Sequence, residues 1–397
     1  MIRSKMKILP YGKHFISKED IKAVSNVLLS THLTQGKAVS LFEKKIANCT
    51  GAKYAVAVSS CTAGMHIACK AIGFTTKSKL LTSVVSFVSS PNVAYFLGGQ
   101  VNFVDINPKT IAFDIHDLKN KIIKYKPDIV MPVHIGGCSY NYEYIKDLSL
   151  KYNFKIIEDA AHSFGGKYNN KFKIGSCKFS DLTVFSFHPV KTITTGEGGV
   201  ITTNNKEYYL KLLRLRSHGI NKLDDNFLIK KQAYTNGKKN QWYYEMRELG
   251  YHYRITDIQC ALGISQLNKL PDVLKKRKKI FSIYDKAFSN LSYIKPLQID
   301  KRQFSSYHLY VVDIDFKKIK KTRQALMAYL EKNKIFTQVH YLPLVMHPFY
   351  KRLKFNVKDY LNAKKYYEGC LSLPCFFSLS EEDQKFIIKK IKFYLES

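Results

Sequence analysis

A regular alternation between residues 54 and 203 constrains this chain more than any other feature. β-rich runs occur as "YAVAVS" near Tyr54, "LLTSVVSF" near Leu80, "QVNFVDI" near Gln100, "DIVMPVHI" near Asp128, "FKIIEDA" near Phe154, "LTVFSF" near Leu182 and "GGVITT" near Gly198. Between the first five lie helical segments starting near Thr62, Pro91, Asp117 and Asn141. Such alternation predicts an α/β fold, a mainly parallel sheet flanked by helices on both faces. In such sheets functional groups gather at the carboxyl ends of the strands.

Upstream, "SKEDIKAVSNVLLS" places Ser17 and Asp20 at capping-box spacing and Ile21, Val24 and Leu28 on one face, which predicts a helix. A second helix is predicted around Ser40 to Cys49. From about Asp257 the pattern turns helical, and after about Phe281 mixed strands and helices predict a smaller α+β domain. At 397 residues the chain exceeds what one compact core usually holds. We therefore expect a large domain over 1–265 and a small C-terminal domain over 266–397.

The 64 Lys and Arg against 31 Asp and Glu give a formal charge of +33, a balance that raises the question of a polyanionic partner. The basic residues are spread along the whole chain, the densest run being "LKKRKK" at Leu274 to Lys279, and they accompany 27 Tyr and 25 Phe. AT-rich codon usage gives that pattern without a partner, and solvated charged faces are the ordinary fate of lysines; no nucleic acid partner is expected. No apolar run is long enough to span a bilayer and the basic start lacks an apolar signal core, so we expect no membrane segment and a cytoplasmic protein. The cysteines, Cys49, Cys61, Cys69, Cys138, Cys177, Cys260, Cys370 and Cys375, form no C-x-x-C pair and predict buried reduced thiols, with no disulfide framework and no metal site.

Three local patterns carry chemistry. In "FSFHPVKTITTGEGG" Lys191 follows an apolar strand. Val190 and Phe185 stand where a nucleotide P-loop needs glycines, which excludes that motif. In "IIEDAAHSFGG" Asp159 ends a strand, where a carboxylate can cap a helix, bind metal or hold a positively charged ring nitrogen. In "VSSCTAGMHIA" a strand runs into a helix through Ser59, Ser60, Thr62 and Ala63, and the N–H groups of a helix start suit a phosphate. Each alone has a plain structural explanation. Together, a strand-end carboxylate, a lysine about thirty residues later and an earlier phosphate cup are the contacts that pyridoxal 5'-phosphate (PLP) needs.

Over nearly its whole length the chain resembles the DegT/StrS sugar-nucleotide aminotransferases, fold-type-I PLP enzymes. The segments that carry the likeness include "LTQGKAVSLFEKKIA", "SFVSSPNVA", "MPVHIGG", "IIEDAAHSFGGKY", "FSFHPVKTITTGEGG", "ELGYHYRITDIQCALGISQL" and "QVHYLPL". Within the family, "LTQGK", "WYYEMRELGYHYR", "QVHY" and "SLPC" look most like the members that act in pseudaminic acid biosynthesis. Those members aminate C4 of UDP-2-acetamido-2,6-dideoxy-β-L-arabino-hex-4-ulose. Their relatives act on the D-configured epimer or on perosamine-type precursors.

The resemblance implies that Lys191 bonds the cofactor and that Asp159 pairs with its ring nitrogen. Phe87 stacks on the ring, Thr62, Ala63 and Ser186 bind the phosphate, and His162 packs beside the ring's O3' side. It implies substrate contacts from Tyr11, Thr31, His32, Leu33 and Thr34 and from Gln338, Val339, His340 and Tyr341, with glutamate as amino donor. It also implies a homodimer in which His252, where the family commonly has asparagine, reaches the neighbouring subunit's cofactor region. A dehydratase branch that handles keto-sugars carries histidine in place of the lysine, so Lys191 argues against it. The intact Asp159 and Lys191 argue against a catalytically silent ligand-binding homologue.

Overall fold

A computed structural model describes residues 7–137, 141–169, 171–222, 226–297 and 305–397. Each of the seven β-rich runs is a strand: β1 Tyr54–Val58, β2 Lys79–Ser83, β3 Gln100–Val104, β4 Ile129–Met131, β5 Lys155–Asp159, β6 Leu182–Ser186 and β7 Gly199–Thr203. They form one sheet in the order β1-β7-β6-β5-β4-β2-β3. The β2, β3, β4, β5 and β6 strands pair in parallel, while β7 lies antiparallel between β6 and β1. β6 can turn back into β7 because the stretch from Phe187 to Gly198 closes as a loop: Phe187 N–H donates to Gly198 and Thr195 N–H donates to Phe187. Lys191 sits in that loop.

Helices cover both faces, as the apolar runs require. One face carries α3 Cys61–Ile72, α4 Ser89–Phe96 and α7 Lys206–Leu215, with Met65, Ile67, Val93 and Leu212 packed on Val56, Leu80, Met131, Val184 and Ile201. The other carries α2 Lys37–Thr50, α5 Ile115–Tyr125 and α6 Tyr142–Tyr152, with Phe42, Ile46, Leu118 and Ile145 packed on Ala57, Leu81, Val130 and Phe185. Strand side chains alternate faces, so a strand covered on both sides is apolar throughout.

A second core lies around the antiparallel strands Ile294–Pro296, Tyr310–Ile314 and Cys370–Leu373. The helices Leu270–Phe288, Arg323–Lys332 and Glu381–Glu396 close it through Phe281, Tyr284, Leu330, Ile387 and Ile391. Leu9, from the amino-terminal segment, is buried in the same cluster. The expected division at 265/266 falls inside the helix Asp257–Leu267, so a boundary there would cut a continuous element.

The first helix, α1 Lys18–Leu28, forms with Ser17 N–H donating to Asp20 at 2.9 Å, as the capping spacing predicts. Its packing differs from the apolar stripe. Asp20 is the buried residue, held by Lys269 at 2.6 Å and Gln266 at 2.8 Å, whereas Ile21 and Leu28 are 59% and 56% exposed. A buried carboxylate with two polar partners anchors α1, and its apolar stripe faces away from this chain's core. The described cysteines are free thiols, Cys138 lies outside the described residues, and no described helix is long and apolar enough to cross a membrane.

Candidate active site

A cavity of about 670 Å³ opens at the carboxyl ends of β5 and β6. Lys191, Asp159, Thr62, Phe87, His162, Ser186, Tyr11, Gln338, Val339, His340 and Tyr341 all line it. Residues from positions 11 to 341 thus meet at one place because the parallel strands deliver their ends to one edge of the sheet.

Lys191 is enclosed enough that loss of hydration lowers its amine from the ordinary 10.5 to about 8, against the opposing pull of Cys61 and Asp159. Asp159 is buried at the end of β5. One carboxylate oxygen accepts the Ser90 hydroxyl at 2.5 Å and the other accepts Ala161 N–H at 3.1 Å. These two neutral donors hold the carboxylate without cancelling its charge, so it can still pair with a protonated ring nitrogen.

The phosphate cup is built at the start of α3. Ser60 caps the helix: its hydroxyl accepts Ala63 N–H at 3.1 Å and its carbonyl accepts Gly64 N–H at 3.0 Å. Ala63 is therefore buried with its amide already engaged, and its side chain is outside the cavity lining. Among the described residues the amides of Cys61 and Thr62 have no protein acceptor, which is the ordinary state of a helix start and leaves them for an anion. Ser186 and the Thr62 hydroxyl complete that side of the cavity. A carboxylate, an amine of lowered basicity and a helix-start anion cup facing one cavity fit PLP.

His162 is buried against the cavity wall. Gly136 N–H donates to its Nδ1 at 3.3 Å, and its Nε2 lies 3.3 Å from the Tyr341 hydroxyl. Burial first, then the Lys191 charge, keeps the His162 imidazole well below its ordinary basicity. His340 is likewise lowered to about 3 by burial and Lys191, and its Nδ1 is 2.8 Å from the Ser372 hydroxyl. The "SLPC" segment organises two walls at once, because Ser372 holds His340 and exchanges backbone hydrogen bonds with Gln338, while Cys375 N–H donates to the Tyr11 carbonyl at 3.0 Å.

Thr31, His32, Leu33 and Thr34 are not brought into this cavity. They are exposed and tied to the start of the helix Asp257–Leu267, where Asp257 N–H donates to the Leu33 carbonyl at 2.9 Å. His252 is also exposed and outside the cavity lining, stacked on His218 with ring centroids 5.3 Å apart. Some wall residues had no sequence signal. His308 is buried, lines the cavity and packs its ring, tilted by 45°, against His162 with centroids 4.4 Å apart; it comes from "SSYHLYVV", which reads as an ordinary strand. His188 lies on the rim 4.0 Å from Glu197. Ser90, the partner of Asp159, could have been found only from its place in "SFVSSPNVA".

The fold and the cavity are those of a PLP-dependent sugar aminotransferase. The chain belongs to the DegT/DnrJ/EryC1/StrS aminotransferase family, whose sequence pattern matches residues 14–392. It is 38% identical over 383 residues to UDP-4-amino-4,6-dideoxy-N-acetyl-β-L-altrosamine transaminase of Campylobacter jejuni, covering 96% of each chain. Its structure is similar to PseC of Helicobacter pylori, an aminotransferase of pseudaminic acid biosynthesis, with a TM-score of 0.88 and 31% identity over 98% of this chain and 100% of that one. Spr1654 of Streptococcus pneumoniae, whose structures include a PLP form, aligns with a TM-score of 0.86 and 27% identity over 98% of this chain and 99% of that one.

Proposed function

We propose that this protein transfers an amino group from glutamate to C4 of UDP-2-acetamido-2,6-dideoxy-β-L-arabino-hex-4-ulose, a step of pseudaminic acid biosynthesis. The observation that carries the choice of sugar is the near full-length identity with the Campylobacter transaminase. The cavity supports the chemistry.

In this reading Lys191 bonds the cofactor, Asp159 holds its ring nitrogen protonated, Phe87 stacks on the ring, and Thr62, the Cys61 amide and Ser186 hold the phosphate, with Ala63, its own amide taken by Ser60, shaping the helix start behind them. Bound there, PLP supplies an electron sink for the carbon that loses its proton. The chain's own groups do the rest. Lys191 Nζ, with its amine lowered to about 8 by burial, loses its charge far more readily than an ordinary lysine, which suits it to take that proton and return it in the second half-reaction. His162 and His340 stay neutral beside it and so do not compete for the proton. Tyr11 and the segment from Gln338 to Tyr341 wall the sugar side.

Thr31, His32, Leu33, Thr34 and His252 complete the site of a second copy in a homodimer. Leu28 and Leu29, the latter 88% exposed, precede that segment and, like Leu33, leave apolar side chains in the open for a second copy to cover.

Incubating the purified protein with glutamate and each of the two epimeric UDP-4-keto sugars, followed by NMR of the product, tests the assignment. Formation of the L-altrosamine product is expected. Formation of the D-configured amino sugar alone rejects the pseudaminic acid assignment while leaving the aminotransferase chemistry standing.

A further inference from the structure

Glu158 and Asp159 are neighbours on β5 whose side chains point to opposite faces of the sheet. Asp159 faces the cavity. Glu158 is fully enclosed on the other side, where its Oε1 accepts the Tyr168 hydroxyl at 2.6 Å and the Thr183 hydroxyl at 3.1 Å. Its Oε2 lies 2.6 Å from His134 Nε2, which is also 2.5 Å from the Tyr142 hydroxyl. A carboxylate sealed in a core costs stability unless such donors surround it. A buried anion of this kind is not needed to fill space, since the same face of the sheet is packed elsewhere by aliphatic and aromatic side chains.

Two links connect His134 to the site. Its backbone N–H donates to the Asp159 carbonyl at 3.0 Å. It also enters the turn Ile135–Gly137, whose Gly136 has φ 68° and points its N–H at His162 Nδ1. An N–H donated to Nδ1 makes that nitrogen the acceptor, so the proton of the neutral ring sits on Nε2, facing Tyr341. The same turn is pinned from the small-domain side, where the Ser305 hydroxyl donates to the Gly137 carbonyl at 2.8 Å and His308 N–H donates to the Gly136 carbonyl at 3.1 Å.

We propose that Glu158 is a positioning residue: through His134 and the Ile135–Gly137 turn it fixes the tautomer of His162, and so presents an Nε2–H donor at the cofactor cavity. The inference rests on the bound cofactor and not on which sugar is used. In Glu158→Gln the side chain keeps its volume but offers one acceptor oxygen and a donor amide where two acceptor oxygens stood. The amide oxygen can take the place of Oε1 and accept from Tyr168 and Thr183, but the NH2 group then faces His134 Nε2 where an acceptor oxygen stood, so the His134 ring must change its tautomer or move.

The test compares three holoenzymes: wild type, Glu158→Gln and Tyr168→Phe, the last removing a donor on the side of Glu158 away from His134. The pH titration of the cofactor's visible band is recorded for each, together with kcat, KM and thermal stability. Glu158→Gln is expected to move the titration midpoint and lower kcat about tenfold or more with KM changed less than about threefold, the pattern of lost transition-state positioning. Tyr168→Phe is expected to lower stability with the titration unmoved. If both variants lose stability and neither moves the titration or kcat, the role is structural only and the proposal fails. A wild-type band that shifts with glutamate, beside unchanged Glu158→Gln behaviour, separates this failure from failure of the aminotransferase reading. Should Glu158→Gln not fold, Glu158→Asp, which withdraws the carboxylate from His134, takes its place, and ring ¹⁵N shifts of His162 are read in it and in the wild type: a protonated Nε2 in the wild type that is lost or weakened in the variant is expected, and a protonated Nδ1 in the wild type or an unchanged ring in the variant overturns the proposal.

Discussion

Gly199, the first residue of β7, lies against the backbone of Cys61 at the start of α3. A Cβ at position 199 would stand 2.7 Å from the Cys61 nitrogen and 2.7 Å from the Ser60 carbonyl carbon. The absence of a side chain there lets the helix start sit directly on the edge of the sheet and aims its amides at the cavity. In the sequence, Gly199 reads only as part of the β-rich run "GGVITT".

Gly199→Ala is therefore expected to displace the phosphate cup rather than to unfold the protein. A displacement of a few tenths of an ångström at charge-assisted hydrogen bonds costs about 1–2 kcal/mol, which is roughly a tenfold weaker cofactor affinity. Titration of the cofactor-free protein with PLP, followed by the visible band, measures it. Equal affinities in variant and wild type would show that the contact does not shape the cup.

The lowered basicity of Lys191 has a consequence for stability in the cofactor-free protein. Below about pH 8 folded and unfolded chains both carry the proton, and the full cost of enclosing the charge is present. Between about 8 and the ordinary 10.5 the unfolded chain holds more protons than the folded one, so stability rises with pH. Lys191→Met removes the charge, and the variant should be more stable than wild type at pH 7, with the difference shrinking as pH approaches 10.5. Urea melts of both cofactor-free proteins across that range check it; a constant difference would mean that Lys191 titrates alike in both states.

The elements of the large sheet were legible because its strands are largely buried on both faces and so are written as mainly apolar runs, as in "YAVAV" and "VFSF". What could not be read was tertiary. His308 joins the site from the segment just before the strand Tyr310–Ile314 and Ser90 from the first turn of α4, and the local sequence explains both fully as packing or capping. The α1 stripe of Ile21 and Leu28 was read correctly as a helix, but the sequence did not show what anchors it, because that contact is Asp20 meeting Lys269 and Gln266 from about 250 residues away. Thr31 to Thr34 and His252 were matched by resemblance alone. Nothing in one chain's geometry brings them to the cavity.

That separation leads to a complementation experiment. If these residues serve the neighbour's site, an inactive Lys191→Ala chain and a chain weakened by His252→Ala carry their defects in different places. In a mixed dimer one site has its lysine from one chain and its His252 from the other, and both are intact. Mixing and re-equilibrating the two variants is expected to restore activity to about a quarter of wild type, since half the dimers are mixed and each has one sound site. Activity that stays at the level of the His252→Ala protein alone would place His252 within its own chain's site or outside catalysis.

The Ser372 hydroxyl, buried beneath His340 and 2.8 Å from its Nδ1, offers a way to separate the two half-reactions. His340 is neutral because burial and Lys191 hold it near 3, so its ring can take either tautomer, and Ser372 is the group that selects which nitrogen turns to the cavity. Ser372→Ala removes that selection and leaves a buried ring nitrogen unpaired, at a cost of about 1–3 kcal/mol. In the proposed reading His340 belongs to the wall that meets the sugar, so the loss should fall on the keto-sugar half-reaction. Its KM or rate is expected to worsen about tenfold, while conversion of the bound cofactor by glutamate, followed in single-turnover spectra, changes less than about twofold. Equal losses in both halves would instead place His340 beside the cofactor itself.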